Sequence, residues 1–198
     1  IFIKLTFTVI IKISLNKNIK LNLNIFIVTD FDDNSKSKFV ENILNLKKIL
    51  TNTKKMTKFV LNQEQIIQNS CLYNQEYKSL SFDIVFCDDD KIHKINKEYR
   101  NIDKPTDVIT FALFADTDET RRFIFDNEIN LGEIIISYDT MEYNSINEPN
   151  IIETKQSHVI SEMYFLISHG ILHLLGYDHQ DEKSYNKMML MQKEITQS

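Results

Sequence analysis

The sequence predicts an α+β fold, a small and mostly mixed sheet of about four strands with helices packed on it. Three observations predict it: short β-rich runs with alternating hydrophobicity, apolar residues at helical spacing between them, and a long helical repeat near the C-terminus. The 198 residues, 42% of them hydrophobic, are enough to build one core. We therefore expect one globular domain.

The first predicted strand is Leu80–Cys87, where hydrophobic side chains recur at every second residue. Asp88–Asp90 follow it, and acidic side chains favour the N-terminus of a helix because they accept from free backbone N–H groups there. Helical spacing of apolar residues extends this predicted helix to Tyr99. Asp107–Leu113 and Leu131–Tyr138 are further predicted strands, joined by a hairpin or a long loop.

The C-terminal third is predicted to be helical. A short helix is expected over 139–146. From His158, apolar residues follow the 3.6-residue period to about Leu175, and Gly176 ends this long helix. A last helix begins at about Asp181. Its side chains expected to face the core are Tyr185, Met188, Met189 and Ile195.

The first 55 residues differ in composition from the rest. They contain no Gly, Pro, Cys or Met and carry ten lysines and four acidic residues, a net charge of +6. Because the first methionine is Met56, we expect translation to begin there, with 1–55 a non-native N-terminal extension and 56–198 the functional domain. The alternative is a targeting segment, since 1–29 contain four lysines and no acidic residue, although transit peptides are usually rich in arginine.

Charge and composition exclude several classes of function. Residues 56–198 carry 13 basic and 24 acidic residues, a net charge of −11, which disfavours non-specific binding of polyanions. No apolar stretch approaches the length of a membrane span. The two cysteines lie outside any CxxC spacing and are expected to be buried thiols of a reducing compartment. We expect a cytoplasmic protein, or an organellar one if 1–55 are a transit segment.

Three of the five histidines lie within eleven residues, in the segment HGILHLLGYDH from His169 to His179. On a helix, His169 and His173 project from one face one turn apart. Gly176 allows the left-handed conformation that reverses the chain and returns His179 to the same place. The spacing predicts that the three imidazoles bind one Zn²⁺, whereas a single helix histidine is usually only packed or hydrogen-bonded.

Three neutral imidazoles without a thiolate leave a bound ion its full charge and a fourth position for water, whose pKa such a site lowers to about 7. This ligand set is typical of catalytic zinc sites, not of structural ones. Imidazole also suits nickel and copper, so spacing alone does not select the metal.

The same spacing occurs in the metzincin peptidases, which carry a glutamate directly after the first histidine as the general base. That position is Gly170 here. A metzincin-like zinc peptidase would therefore lack its usual proton acceptor, unless Asp178, Asp181 or Glu182 took that role from another direction. Peptide hydrolysis stays an alternative at this point.

The histidine segment resembles the signature of the YbeY-type endoribonucleases, the ribosomal RNA maturation factors. Residues Leu131, Gly132 and Glu133 are similar to another segment of that family. A third similar segment, YRNIDKPTDVITF, contributes Tyr99, Arg100, Asp103, Pro105, Thr106, Asp107, Val108 and Phe111. The resemblance covers roughly Ser79 to Thr196. It departs from the family at Ala112 and Leu113, where proline is common, and in a long connection from Tyr143 to His158.

The resemblance implies an α+β fold with one zinc ion held by His169, His173 and His179. It implies cleavage of single-stranded RNA, linked to maturation of the 3′ end of small-subunit rRNA and to ribosome quality control. The expected partners are therefore RNA and the small ribosomal subunit or its assembly factors, with no DNA and no membrane. A ribosome-binding assembly factor with a purely structural zinc is a further alternative.

The resemblance also places Arg100 in the active cleft. A guanidinium presents a planar fork suited to phosphate oxygens, so we expect Arg100 to stabilise charge in the transition state. The expected catalytic residues are Arg100 and His169. On the sequence alone, a surface arginine that interacts with the helix dipole is an equally good interpretation.

Overall fold

A computed structural model of the protein describes residues 7–15, 19–31, 39, 46–146 and 155–198. In these residues five strands form one sheet in the order β1–β2–β3–β5–β4. The strands are β1 (Phe7–Leu15), β2 (Ile19–Asp30), β3 (Ser79–Cys87), β4 (Val108–Phe111) and β5 (Glu128–Ser137). The helices are α1 (Leu46–Leu61), α2 (Glu64–Gln68), α3 (Asp89–Arg100), α4 (Tyr138–Ile146), α5 (Lys155–Leu174) and α6 (Glu182–Thr196). The predicted α+β class is confirmed.

The sheet is mixed, as predicted. Strands β2, β3 and β5 are parallel neighbours, whereas β1 and β4 pair antiparallel at the two edges. Helices cover both faces. Phe82 and Ile84 of β3 belong to the main core together with residues of α1 and α5, whereas Val85 and Cys87 of β3 pack with Ile92 of α3 on the opposite face. The period-two pattern of β3 thus divides its side chains between two cores.

The segment of residues 1–55 supplies two of the five strands. β2 lies between β1 and β3, and its side chains at every second position, Leu21, Leu23, Ile25 and Ile27, are 0–1% exposed. Helix α1 runs through Met56 without a break. The described fold therefore begins upstream of Met56, while a start of translation at that residue stays a prediction.

Two helices begin at side-chain caps that the sequence indicates. Asp88 accepts a hydrogen bond from the backbone N–H of Lys91 at 2.8 Å, which starts α3 directly after β3. Asp181 and Ser184 form a reciprocal capping box at the start of α6. Caps of this kind satisfy backbone donors that have no partner within the helix.

The predicted inner face of α6 needs a correction. Met188 and Ile195 are buried as expected, but Tyr185 is 47% exposed and Met189 is only partly buried. The residue that shares the buried face with Met188 and Ile195 is Gln192, which is fully buried. Spacings of four and three residues place these three side chains on one stripe of the helix.

Both cysteines are free and buried, as predicted. Burial is the main cause that raises the pKa of the Cys71 thiol, to about 11. The described helices include none that is long and apolar enough to cross a membrane.

Removal of residues 1–55 is expected to destabilise the domain severely. Truncation of one fully buried Leu or Ile to alanine costs about 2–5 kcal/mol, and a whole domain is stable by only about 5–15 kcal/mol. The loss of all of β2 and the start of α1 therefore exceeds what the domain can tolerate. We expect the fragment Met56–Ser198 to be unfolded or to unfold at a much lower urea concentration than the full chain, as measured by circular dichroism.

The matched control is the fragment Ile19–Ser198, which loses the edge strand β1 and keeps β2. We expect it to retain a cooperative unfolding transition. Equal midpoints for the two fragments would contradict a structural role for β2.

Candidate metal centre

The three histidines of the segment 169–179 converge at the C-terminal end of α5. His169 and His173 lie on the last turns of the helix, and their Nε2 atoms are 3.0 Å apart. The Nε2 atom of His179 lies 3.3 Å from that of His169. The structure therefore brings together the three side chains that the sequence predicts to share one site.

The chain reversal between His173 and His179 depends on Gly176. Its φ is 90°, in the left-handed region that favours glycine. The Gly176 N–H donates to the His173 carbonyl at 2.8 Å, and the Tyr177 N–H donates to the Leu172 carbonyl at 3.0 Å. This pair of hydrogen bonds is the Schellman motif. The predicted role of Gly176 is confirmed.

The donor set fits a divalent cation. One nitrogen from each of the three rings lies within 4.8 Å of the others. Zn–N bonds of about 2.0–2.1 Å separate two ligands of a tetrahedral ion by about 3.3 Å, close to the spacing of these Nε2 atoms. Lone pairs that face each other at this distance repel unless a proton or a cation lies between them. The spacing of the three ring nitrogens therefore fits the ligand set of one divalent cation.

The site favours the neutral form of His169 and His173, the form in which histidine binds metals. Burial is the main cause that lowers the pKa of His169. Burial, followed by the neighbouring His169 and His179, lowers the pKa of His173 to about 4. The low pKa values favour metal binding over protonation.

Two residues of α6 that the sequence does not indicate as part of the site also contact its histidines. The side-chain Oε1 of Gln192 lies 3.2 Å from Nδ1 of His169. The ring of Tyr185 packs edge-on against the ring of His179, with centroids 5.8 Å apart. The sequence pattern that could have indicated Gln192 is the buried stripe of α6, in which Gln192 is a polar residue between Met188 and Ile195.

Gly170, which occupies the position of the metzincin glutamate, packs so closely against the sheet that a side chain does not fit there. A Cβ added at Gly170 would lie 2.6 Å from Cγ2 of Ile134 on β5, so α5 approaches the sheet closely there. This side of the helix faces the sheet. Two of the other acidic candidates already have structural roles, because Asp178 accepts from the backbone N–H of His179 at 2.8 Å and Asp181 caps α6.

Arg100 lies exposed at the C-terminal end of α3 and makes no ion pair within the described ranges. Its neighbour Tyr99 packs edge-on against Phe111 of β4, with ring centroids 5.0 Å apart. The segment after Arg100 leads to Asp107, whose charge acts on His169 and raises the pKa of that imidazole against the effect of burial. The catalytic role of Arg100 stays a prediction.

Several other basic side chains of α3 are already paired. Lys97 and His93 both contact Asp103 at 2.7 Å, and Lys91 contacts Asp30 at 3.1 Å. These exposed pairs leave less uncompensated positive charge along α3 than its sequence suggests.

A partly exposed cluster of three imidazoles on an α+β domain is the kind of centre that metal-dependent hydrolases use. Comparison with known proteins gives the particular family. The family model described as endoribonuclease YbeY matches residues 32–198. The chain belongs to the endoribonuclease YbeY family, a family of metal-dependent nucleases.

Individual relatives agree with this assignment. Endoribonuclease YbeY of Heliobacterium modesticaldum is 39% identical over 64% of this chain and 75% of the relative. The protein of the same name from Shouchella clausii is 40% identical over 58% of this chain and 69% of its own length. That of Fusobacterium nucleatum is 30% identical over 88% of this chain and 86% of its own length.

Among solved structures, the solution structure of TM1509 from Thermotoga maritima is 25% identical to this chain. The match covers 86% of this chain and 87% of TM1509, with a TM-score of 0.41.

Without metal, the fold is expected to lose stability as the pH falls from 6.5 towards 4. In the unfolded chain His173 has its ordinary pKa of 6.5, whereas in the folded protein its pKa is about 4. The unfolded state binds more protons in this interval, so acidification favours unfolding. Urea midpoints of the chelator-treated protein measured across this range test the expectation. His173→Asn is expected to have a shallower dependence on pH, and an unchanged slope would contradict the assignment.

Proposed function

We propose that the protein is a zinc-dependent endoribonuclease that hydrolyses phosphodiester bonds of single-stranded RNA. The observation that carries the proposal is the convergence of three imidazole Nε2 atoms, two of the distances being 3.0 and 3.3 Å, in a chain of the YbeY family. We propose one Zn²⁺ because three neutral nitrogen ligands suit this ion and leave a position for chemistry.

The metal, when bound, supplies a Lewis acid and lowers the pKa of water. The residues of the chain hold and orient it. His169 and His173 present Nε2 from one face of α5, and the turn at Gly176 brings His179 to them. Their depressed pKa values keep His169 and His173 neutral at physiological pH, so that protons do not compete with the metal for these nitrogens.

We propose that Arg100 binds the phosphate of the substrate. Its guanidinium is exposed, and its acidic neighbour Asp103 is occupied by Lys97 and His93. A guanidinium free to form two parallel hydrogen bonds with phosphate oxygens stabilises the additional charge of the transition state. In this role Arg100 contributes to hydrolysis and does not bind the metal.

The contacts of the site favour this function over the two alternatives. A peptidase of the metzincin type needs a carboxylate at the position of Gly170, where a Cβ would clash with Ile134. A structural zinc normally has four protein ligands, and within the described residues the cluster comprises three.

We propose that the substrate is ribosomal RNA, at the 3′ end of the small-subunit rRNA, and that the protein acts with the small ribosomal subunit or its assembly factors in the cytoplasm. The net charge of −5 supports recognition through a local site, because overall charge does not attract a polyanion. We expect neither DNA nor a membrane among its partners.

Single substitutions are expected to separate metal binding from phosphate binding. His169→Ala, His173→Ala and His179→Ala should each lose zinc and cleavage together. Arg100→Glu should retain zinc and lower cleavage of single-stranded RNA by about 100-fold or more, as expected for loss of a charge that stabilises the transition state. Elemental analysis and a cleavage assay with and without chelator measure the two effects.

Lys94→Glu is the matched control, because it makes the same charge change on another exposed face of α3. It should cleave nearly as well as the wild type. Undiminished cleavage by Arg100→Glu would refute the role of Arg100. Zinc-dependent cleavage of a peptide with RNA left intact would favour the peptidase instead.

A further inference from the structure

Gln192 is a buried polar side chain in an apolar part of α6. It is 0% exposed and lies between Met188 and Ile195 on the buried stripe of that helix. Its amide makes two contacts with α5: Oε1 lies 3.2 Å from Nδ1 of His169, and Nε2 lies 3.3 Å from the backbone carbonyl of Phe165. Burial of an amide is unfavourable unless its groups are hydrogen-bonded, so both contacts matter to the site.

These two contacts define the protonation of the His169 ring. The Phe165 carbonyl can only accept, so the amide nitrogen of Gln192 must face it and donate. The amide oxygen then faces His169, and because that oxygen can only accept, Nδ1 must carry the ring proton. In a neutral imidazole the other nitrogen, Nε2, is then free of a proton. Its lone pair lies where Nε2 of His173 and of His179 converge.

We propose that Gln192 is a positioning residue of the metal centre, which holds His169 in the tautomer and ring orientation that offer Nε2 to the metal. The inference rests on the proposed function, because it takes His169 as a ligand. Helix α6, through Gln192, would then contribute to the affinity of the site for the metal. Loss of a hydrogen-bond partner behind a ligating histidine typically weakens metal binding about 10–100-fold.

A purely structural tie between α5 and α6 would have a different signature. Such a tie contributes to stability whether or not metal is present, and it leaves metal affinity unchanged once the protein is folded. A positioning residue changes the affinity for the metal itself. Metal affinity and the stability of the metal-free protein therefore distinguish the two roles.

The test uses Gln192→Met in the full chain, because methionine has a similar length and lacks the acceptor. Zn²⁺ affinity is measured by competition with a chromogenic chelator, and we expect it to fall about 10–100-fold. Gln192→Glu keeps an oxygen towards His169 but removes the donor to the Phe165 carbonyl, and it is expected to bind Zn²⁺ more tightly than Gln192→Met. Lys193→Met, on the exposed side of the same helix, is expected to bind Zn²⁺ as the wild type does.

Unchanged Zn²⁺ affinity in Gln192→Met would overturn the inference, whatever its effect on stability. His169→Ala separates this failure from a failure of the proposed function: wild-type affinity in that variant would refute the metal site itself. The tautomer is tested without any substitution by long-range ¹H–¹⁵N spectra of the chelator-treated wild type at pH 8. The Nδ1–H form of His169 is expected, and the Nε2–H form would overturn the inference even if Gln192→Met does not fold.

Discussion

The convergence of three imidazole nitrogens is the constraint on which this end of the molecule depends. Nε2 lone pairs that face each other at 3.0 and 3.3 Å repel unless a cation or proton lies between them. Their arrangement requires a long helix that ends in the right place, a reversal of the chain and a close fit of that helix to the sheet. Gly176 and Gly170 meet the last two requirements, the first through its backbone conformation and the second through its lack of a side chain.

The local parts of this arrangement could be predicted from the sequence. The spacing of His169 and His173 determines their relation on any α-helix, and a glycine just past the last turn indicates how the chain leaves it. The alternation of Leu80–Cys87 and the aspartates after it likewise predicted β3 and α3, because strand period and helix capping depend on a few neighbouring residues. The α+β class followed from the order of such elements.

The parts that depend on distant contacts could not be predicted as well. The composition of residues 1–55 did not indicate that alternate residues from Leu21 to Ile27 are buried, because the strand is defined by pairing with a segment more than fifty residues away. The contact of Gln192 with His169 spans 23 residues and depends on how α5 and α6 pack. Tyr185 shares the helical spacing of core residues, but its place near the start of α6 leaves it beside the exposed edge of the histidine cluster.

The close approach of α5 to β5 also limits what that helix can contribute to hydrolysis. Space for a hydrogen atom alone beside Ile134 means that the helix can deliver nitrogen ligands but cannot carry a carboxylate at position 170. A proton acceptor in the place of that carboxylate has to reach the centre from another position, from solvent or from the nucleic acid. The packing of two secondary structures thus separates the task of holding the ion from the task of moving protons.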